Sequence, residues 1–276
     1  MKRDDMQPGP WTRWAVDKSE NEASAPAALG LPGLQLYTVR SMMAADPCAT
    51  LTEIALIGYK EVEFHDYFGL SAPEIVDLLD TNGLTAPAAH VSHDTFESSI
   101  GTVIEHAKAI GHRYLVYSGI PDGRRQNLDD YGRLADLFNG WGATCKTSGL
   151  QFVFHNHEFE FADIGGRVPY DLLLESSDPD LVAMELDLFW IRKAGRDPLP
   201  YFEKYPGRFK LCHVKDMDAG GEMTEVGSGT INFASDFDYA DLAGFKHFFV
   251  EHDNPADALA SITESFEGMK TLLHGC

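Results

Sequence analysis

Residues 150–161 read LQFVFHNHEFEF. The segment opens as an apolar run and closes on His155, Asn156, His157, Glu158 and Glu160, set among phenylalanines. A strand of a parallel sheet is covered on both faces and reads as a nearly continuous apolar run. A strand that starts apolar and ends polar therefore has one end in a core and the other where chemistry is done. Seven more segments follow this plan: LQLYTVR (34–40), KEVEFH (60–65), APAAHVSH (86–93), YLVYSG (114–119), VAMELDLFW (182–190), FKLCHVKD (209–216) and HFFVEHD (247–253). Amphipathic stretches lie between them at 72–83, 98–111, 131–149 and 255–273. Gly58, Gly83, Gly111 and Gly149 have the look of helix C-termini.

Strand–helix alternation predicts βαβ units and a parallel sheet. Eight units between residues 31 and 276 fit an α/β fold of one domain, a (β/α)8 TIM barrel, whose usual size is ~250 residues. Leu36, Glu63, His90 and Tyr117 recur every 27 residues, about one βα unit. An open doubly wound sheet would carry a glycine-rich phosphate turn after its first strand, and LQLYTVRS has none.

The polar groups gather at the C-terminal strand ends, where barrel enzymes keep their active sites. Glu63 and His65 close the second strand, His90 and His93 the third, Glu185 and Asp187 the sixth, His213, Lys215 and Asp216 the seventh, and Glu251, His252 and Asp253 the eighth. Period-two alternation puts Glu185 with Asp187 and His213 with Lys215. Carboxylates crowded into one mouth repel and resist desolvation. A divalent cation offsets both costs. One imidazole and three carboxylates from different strand ends, Glu160, Asp187, His213 and Glu251, form the candidate ligand set. Such donors suit Mn²⁺, Mg²⁺, Co²⁺ or Zn²⁺ alike, and Mn²⁺ is taken as the expected ion. Alternation places Glu158 and Glu160 on one face, so Glu158 is the substitute ligand.

The chain has 276 residues, 44% of them apolar, and 43 acidic against 22 basic residues give a formal charge of −21. That charge repels phosphate backbones and argues against nucleic-acid binding. No apolar run approaches the ~20 residues of a membrane span. Four dispersed cysteines form no CxxC pair, which predicts reduced thiols and a cytoplasmic setting. Residues 1–30 lack both periodicity and an apolar signal core, and read as a mobile arm or the remnant of a leader. The second case would make the location periplasmic. Trp11 and Trp14 are candidate contacts with the barrel or with a second copy in a homo-oligomer.

The motifs HNHEFEF, LDLFWIRKAGRDP, HVKDM, EVGSGTINF and FVEHD, after LPGLQLYTVR, resemble the sugar phosphate isomerase/epimerase group of xylose-isomerase-like TIM barrels. The likeness runs over roughly residues 31–273. It implies one divalent ion on Glu160, Asp187, His213 and Glu251, and a keto-sugar or oxidised glycoside as the small-molecule substrate. The implied reaction is isomerisation or epimerisation through an enediolate. Glu160 and Glu251 would exchange protons, assisted by His157 and Lys215. Glu63, His65, His90, His155, Glu158 and Trp190 would contact the sugar. The alternative reaction on the same site is β-elimination from a 3-keto-glycoside by a lyase or hydratase. A sugar-binding barrel without catalysis and an abasic-site endonuclease are weaker readings, the first opposed by the complete ligand set and the second by the charge. Lys215 has Asp216 or Glu185 as expected ion-pair partner, and the GSG at 227–229 reads as a tight loop rather than a phosphate cradle.

Overall fold

The computed structural model describes residues 30 and 32–274. The proposed arm, with Trp11 and Trp14, lies outside the described residues except for Gly30. Eight parallel strands close a barrel: β1 Gly33–Gln35, β2 Glu61–Phe64, β3 Thr85–Val91, β4 Tyr114–Tyr117, β5 Gln151–His155, β6 Val182–Asp187, β7 Phe209–Val214 and β8 His247–Val250. Each pairs with its sequence neighbours, and β1 closes the ring against β8.

All eight expected strands exist, but each stops short of its expected C-terminal end. The cause is local. The residues that end the strands also start the next element. The Gln35 side chain accepts from Tyr37 N, and a 3-10 turn follows at Leu36–Val39. Ser92 accepts from Thr95 N and caps the helix His93–Ile110. Asp187 accepts from Phe189 N and Trp190 N and caps the helix Leu188–Lys193. A polar residue placed for the barrel mouth is also a good N-cap. His93 therefore belongs to a helix, where it packs under Trp141 and its ring nitrogen bonds the Tyr117 hydroxyl.

Inside the ring a plug of Ala88, Val116, Val153, Ala183, Leu211 and Phe249 fills the lower barrel. Gly33 makes room for it. A Cβ there would stand 2.5 Å from the Phe249 ring. Outside, the helix Leu128–Thr147 buries Leu134, Phe138, Trp141 and Cys145 at helical spacing. Phe138 and Trp141 meet Phe152 of β5, and each such buried aromatic stabilises by ~1.5–3 kcal/mol. The C-terminal helix Ala258–His274 approaches the loop after β7 so closely that a Cβ on Gly268 would stand 1.8 Å from Val226 O. Cys48, Cys145 and Cys212 are free thiols. Among the described residues, no helix is long and apolar enough to cross a membrane.

Candidate metal centre and active site

Above the apolar plug, the inward positions of most strands turn polar. Gln35, Glu63, His155, Glu185 and His213 are buried there, with His90 beside them. The next inward step brings Asp187, Lys215 and Glu251. Strand register puts His155 opposite Glu185 and Asp187 opposite His213. Side chains from β5, β6 and β7 thus converge because their strands carry the same alternation in step.

His213 stands at the centre and faces two groups with its two nitrogens. Nε2 lies 2.6 Å from Glu63 Oε2 and 3.3 Å from Glu185 Oε2. Nδ1 lies 2.8 Å from Glu251 Oε2 and 3.9 Å from Asp187 Oδ2. Below it, Glu185 Oε2 is 2.8 Å from His90 Nε2 and 3.2 Å from His155 Nδ1, and Glu63 accepts from Gln35 at 2.8 Å. Above it, Lys215 Nζ reaches Asp187 at 3.0 Å, Glu251 at 2.8 Å and Asp253 at 2.9 Å. Lys215 thus pairs with these three rather than with Asp216 or Glu185.

Burial and charge set the protonation states. Burial alone would lower His213 and His90, but the carboxylates of Glu185 and Glu251 hold His213 well above the usual imidazole range. Glu63 and Glu185 likewise carry His90 up to about 9. His155 falls well below that range through burial and the neighbouring His213. His157 is lowered to about 3 by burial and the Lys215 charge. Burial tends to raise Glu251, yet Lys215 and His213 take it well below the usual carboxylate range. Burial raises Asp187 despite Lys215.

The donors fit a divalent cation. Asp187, His213 and Glu251 each offer an atom within 4.8 Å of the others. Asp187 Oδ2, His213 Nδ1 and Glu251 Oε2 are buried and make no well-aligned hydrogen bond; what they face is one another and the Lys215 charge. His213 Nδ1 and Glu251 Oε2 stand 2.8 Å apart, a spacing that also suits neighbouring ligands on one ion at ~2.1 Å. His90, His155 and Glu185 form a second group around the same His213.

Glu160 is not in either group. β5 ends at His155, and Phe159–Phe161 form a 3-10 turn. The turn leaves Glu160 within reach of the Arg125 charge and close enough to Tyr117, Tyr131 and Tyr170 to help raise their pKa values. It is fully buried, accepts from His157 N at 2.8 Å, and keeps Oε1 unpartnered. Burial raises its pKa to about 8. Glu158, its substitute in the sequence reading, is exposed on the same turn, so the two do not share a face.

A cavity of about 290 Å³ opens over this centre, lined among others by His65, His90, His155, His157, Lys215 and Glu251. Trp190 stands beside it, with its ring 5.7 Å from Lys215 Nζ and 5.9 Å from the His157 ring. Glu63 has no exposed surface and serves as the partner of His213 and Gln35. The sequence reading left Glu185, Gln35 and Asp253 out of the site. Alternation pointed to Glu185, two residues before Asp187, whereas Gln35 sits in an apolar run with no such signal. Asp216 is turned away from the mouth. Its Oδ2 accepts from Gly227 N and Gly229 N, and Oδ1 from Ile231 N. The GSG amides are therefore satisfied internally, as a tight loop requires. Arg192 pairs with Asp236, and Arg40 donates to the carbonyl of Asp253.

Comparison with known proteins agrees with this architecture. A family described as xylose isomerase-like TIM barrel matches residues 51–272. The inosose dehydratase of Lacticaseibacillus casei is 26% identical over 187 residues, which are 60% of this chain and 62% of that protein. The chain thus spans somewhat less than two thirds of the length of this curated relative. Two sugar phosphate isomerase/epimerase structures from Parabacteroides distasonis are similar. One has a TM-score of 0.78 at 24% identity, covering 94% of this chain and 99% of that one. The other has 0.75 at 26%, covering 86% and 96%.

Proposed function

Because this chain belongs to the xylose isomerase-like TIM barrel family, we propose that it is a metal-dependent lyase that removes water or an alcohol β to the ketone of a keto-polyol or 3-keto-glycoside. The observation that carries the reading is the convergence of Asp187, His213 and Glu251 on one buried point beneath a cavity that also holds Lys215 and a neutral His157. The inosose dehydratase likeness supports elimination over isomerisation.

Asp187, His213 and Glu251 would hold the ion, for which Mn²⁺ is the preferred identity. When bound, it supplies Lewis-acid polarisation of the substrate carbonyl. Glu160 is proposed as a fourth ligand, reached by reopening the Phe159–Phe161 turn. Its support is a buried oxygen without a partner.

The chain's own groups supply the rest. Lys215 remains charged among its carboxylates and faces the cavity, so it stabilises the enolate oxygen as charge develops there. Glu251 lines the cavity but is engaged by Lys215 and His213. His157 lines it too, neutral and with Nδ1 free of any partner. His157 is proposed as the acceptor for the proton next to the carbonyl; burial and the Lys215 charge now hold its basicity low, so the role requires the developing enolate to offset that charge. The enolate electron pair then forms the carbon–carbon double bond, the β C–O bond breaks, and the proton on His157 passes to the departing oxygen. Reprotonation of carbon before that loss would give the isomerase or epimerase outcome, which the same groups support.

The test is an incubation of the Mn²⁺-loaded protein with keto-polyols and 3-keto-glycosides in D₂O, followed by NMR. A vinylic proton signal with released water or alcohol supports the lyase. Deuterium next to the carbonyl without loss of the β-group supports the isomerase or epimerase. Neither change across the panel refutes both.

A further inference from the structure

A second cavity, about 390 Å³, shares His65, His90 and Ser92 with the reaction cavity and runs from it toward the helix His93–Ile110. Its character differs. Phe64, Tyr67, Val91 and Val103 give it apolar and aromatic walls. That helix leaves helical geometry at Ser99, with φ −145° and ψ 22°, and Ser99, Thr102, Val103 and His106 of the kinked segment form the far wall. The Tyr67 and His106 rings meet at 4.4 Å. Tyr67 Oη, His106 Nε2 and His65 Nε2 are buried without hydrogen-bond partners.

A bare polyol in the first cavity would leave this one empty between its apolar and aromatic walls. Ligand sites that combine apolar walls with a few polar atoms take flat, amphipathic groups. Resting on the lyase reading, we propose that this annex receives an aromatic aglycone, so that the substrate class is an oxidised aryl glycoside rather than a free keto-polyol. The sugar occupies the polar cavity and the aryl group lies against Phe64, Tyr67 and Val103. The shared wall at His65, His90 and Ser92 is where the glycosidic oxygen crosses between the two chambers.

Binding tests this without turnover. Phenyl and methyl β-D-glucopyranoside, both unoxidised and therefore inert to elimination, are titrated into the Mn²⁺-loaded protein. The phenyl glycoside should bind at least ~10-fold more tightly, because it alone buries a ring in the annex. Thr102→Phe, at an exposed position on the annex wall, should reduce that ratio to within ~2-fold while methyl glycoside affinity holds. Val103→Phe should act in the same way from deeper in the wall. Equal affinity for the two glycosides in the parent, or no binding of either, overturns the proposal. So does an aryl preference that survives both substitutions. The lyase reading fails separately. Elimination from methyl and phenyl 3-keto-glycosides at equal kcat/KM, with no aryl preference in binding, sinks the annex alone. An aryl preference in binding without elimination sinks the lyase alone.

Discussion

Glu160→Gln tests the position of the least expected side chain in the site. In the metal-free protein the Glu160 carboxyl is fully buried and its pKa is raised from 4.5 to about 8. A raised carboxyl pKa means the native state keeps its proton in a pH range where the unfolded chain has released it. The resulting stabilisation is complete below about pH 4.5 and is lost as pH rises toward about 8, then levels off. The full shift corresponds to at most ~5 kcal/mol, and relaxation of the turn and entry of water reduce the measurable part to ~2 kcal/mol. Gln matches the protonated acid in shape, can accept from His157 N, and does not ionise. With metal chelated, the variant should melt with the parent near about pH 5 and ~4 °C above it near about pH 8.5. Thermal unfolding followed by circular dichroism across that range reads the difference. With excess Mn²⁺ the order should invert, because the parent gains a ligand that the variant holds less well. A difference independent of pH in the chelated protein would show that the carboxyl is not buried as described. A lack of inversion with Mn²⁺ would remove Glu160 from the ligand set.

The other expectations follow from single contacts. His213 is protonated well above the usual range without metal and must shed that proton to bind an ion, so Mn²⁺ affinity by calorimetry should rise by up to ~10-fold per pH unit through the neutral range; a flat profile would place the ion elsewhere. Lys215→Met strips the shared cation from Asp187, Glu251 and Asp253. It should destabilise the metal-free protein by ~3–5 kcal/mol in urea titrations and lower kcat by ~10²–10³, and near-parent turnover would exclude Lys215 as the enolate partner. Gly268→Ala drives a methyl group into Val226 O and should cost ~2–4 kcal/mol in the same titration, whereas an unchanged midpoint would mean the helix and loop are not packed that closely.

The barrel was legible in the sequence because its signal repeats. Each strand starts apolar and ends polar, and the plug residues above which it turns polar keep a period of two. Asp187, His213 and Glu251 stand out as polar residues at successive strand ends, and the structure brings them together because the backbone there is still extended. Parity fails for Glu158 and Glu160, one exposed and the other buried, because it has meaning only while the chain is a strand, and β5 gives way to a 3-10 turn after His155. Gln35 escaped notice for the opposite reason. It is a neutral polar residue inside an apolar run, buried because Glu63 accepts its hydrogen bond. Lys215 was placed at the site but not with its partners, since these come from β6 and from the segment after β8, whose approach depends on barrel closure. The annex depends on a helix kink and had no counterpart in sequence periodicity.

Asp216 has a consequence for how this mouth can be remodelled. Its carboxylate binds backbone amides at residues 227, 229 and 231, so the returning limb of the loop is tied to the end of β7 through main-chain groups, with Gly229 required because a Cβ there would stand 2.2 Å from Asp216 Oδ1. The short hairpin pairing Asp216–Met217 with Met223–Thr224 lies on the near side of that knot. Length and side chains at the hairpin tip, residues 218–222, can therefore drift without moving Lys215 or His213. The loop behaves as an exchangeable cassette on a fixed clasp, a route by which one barrel can acquire a different lid while its reacting groups stay in place.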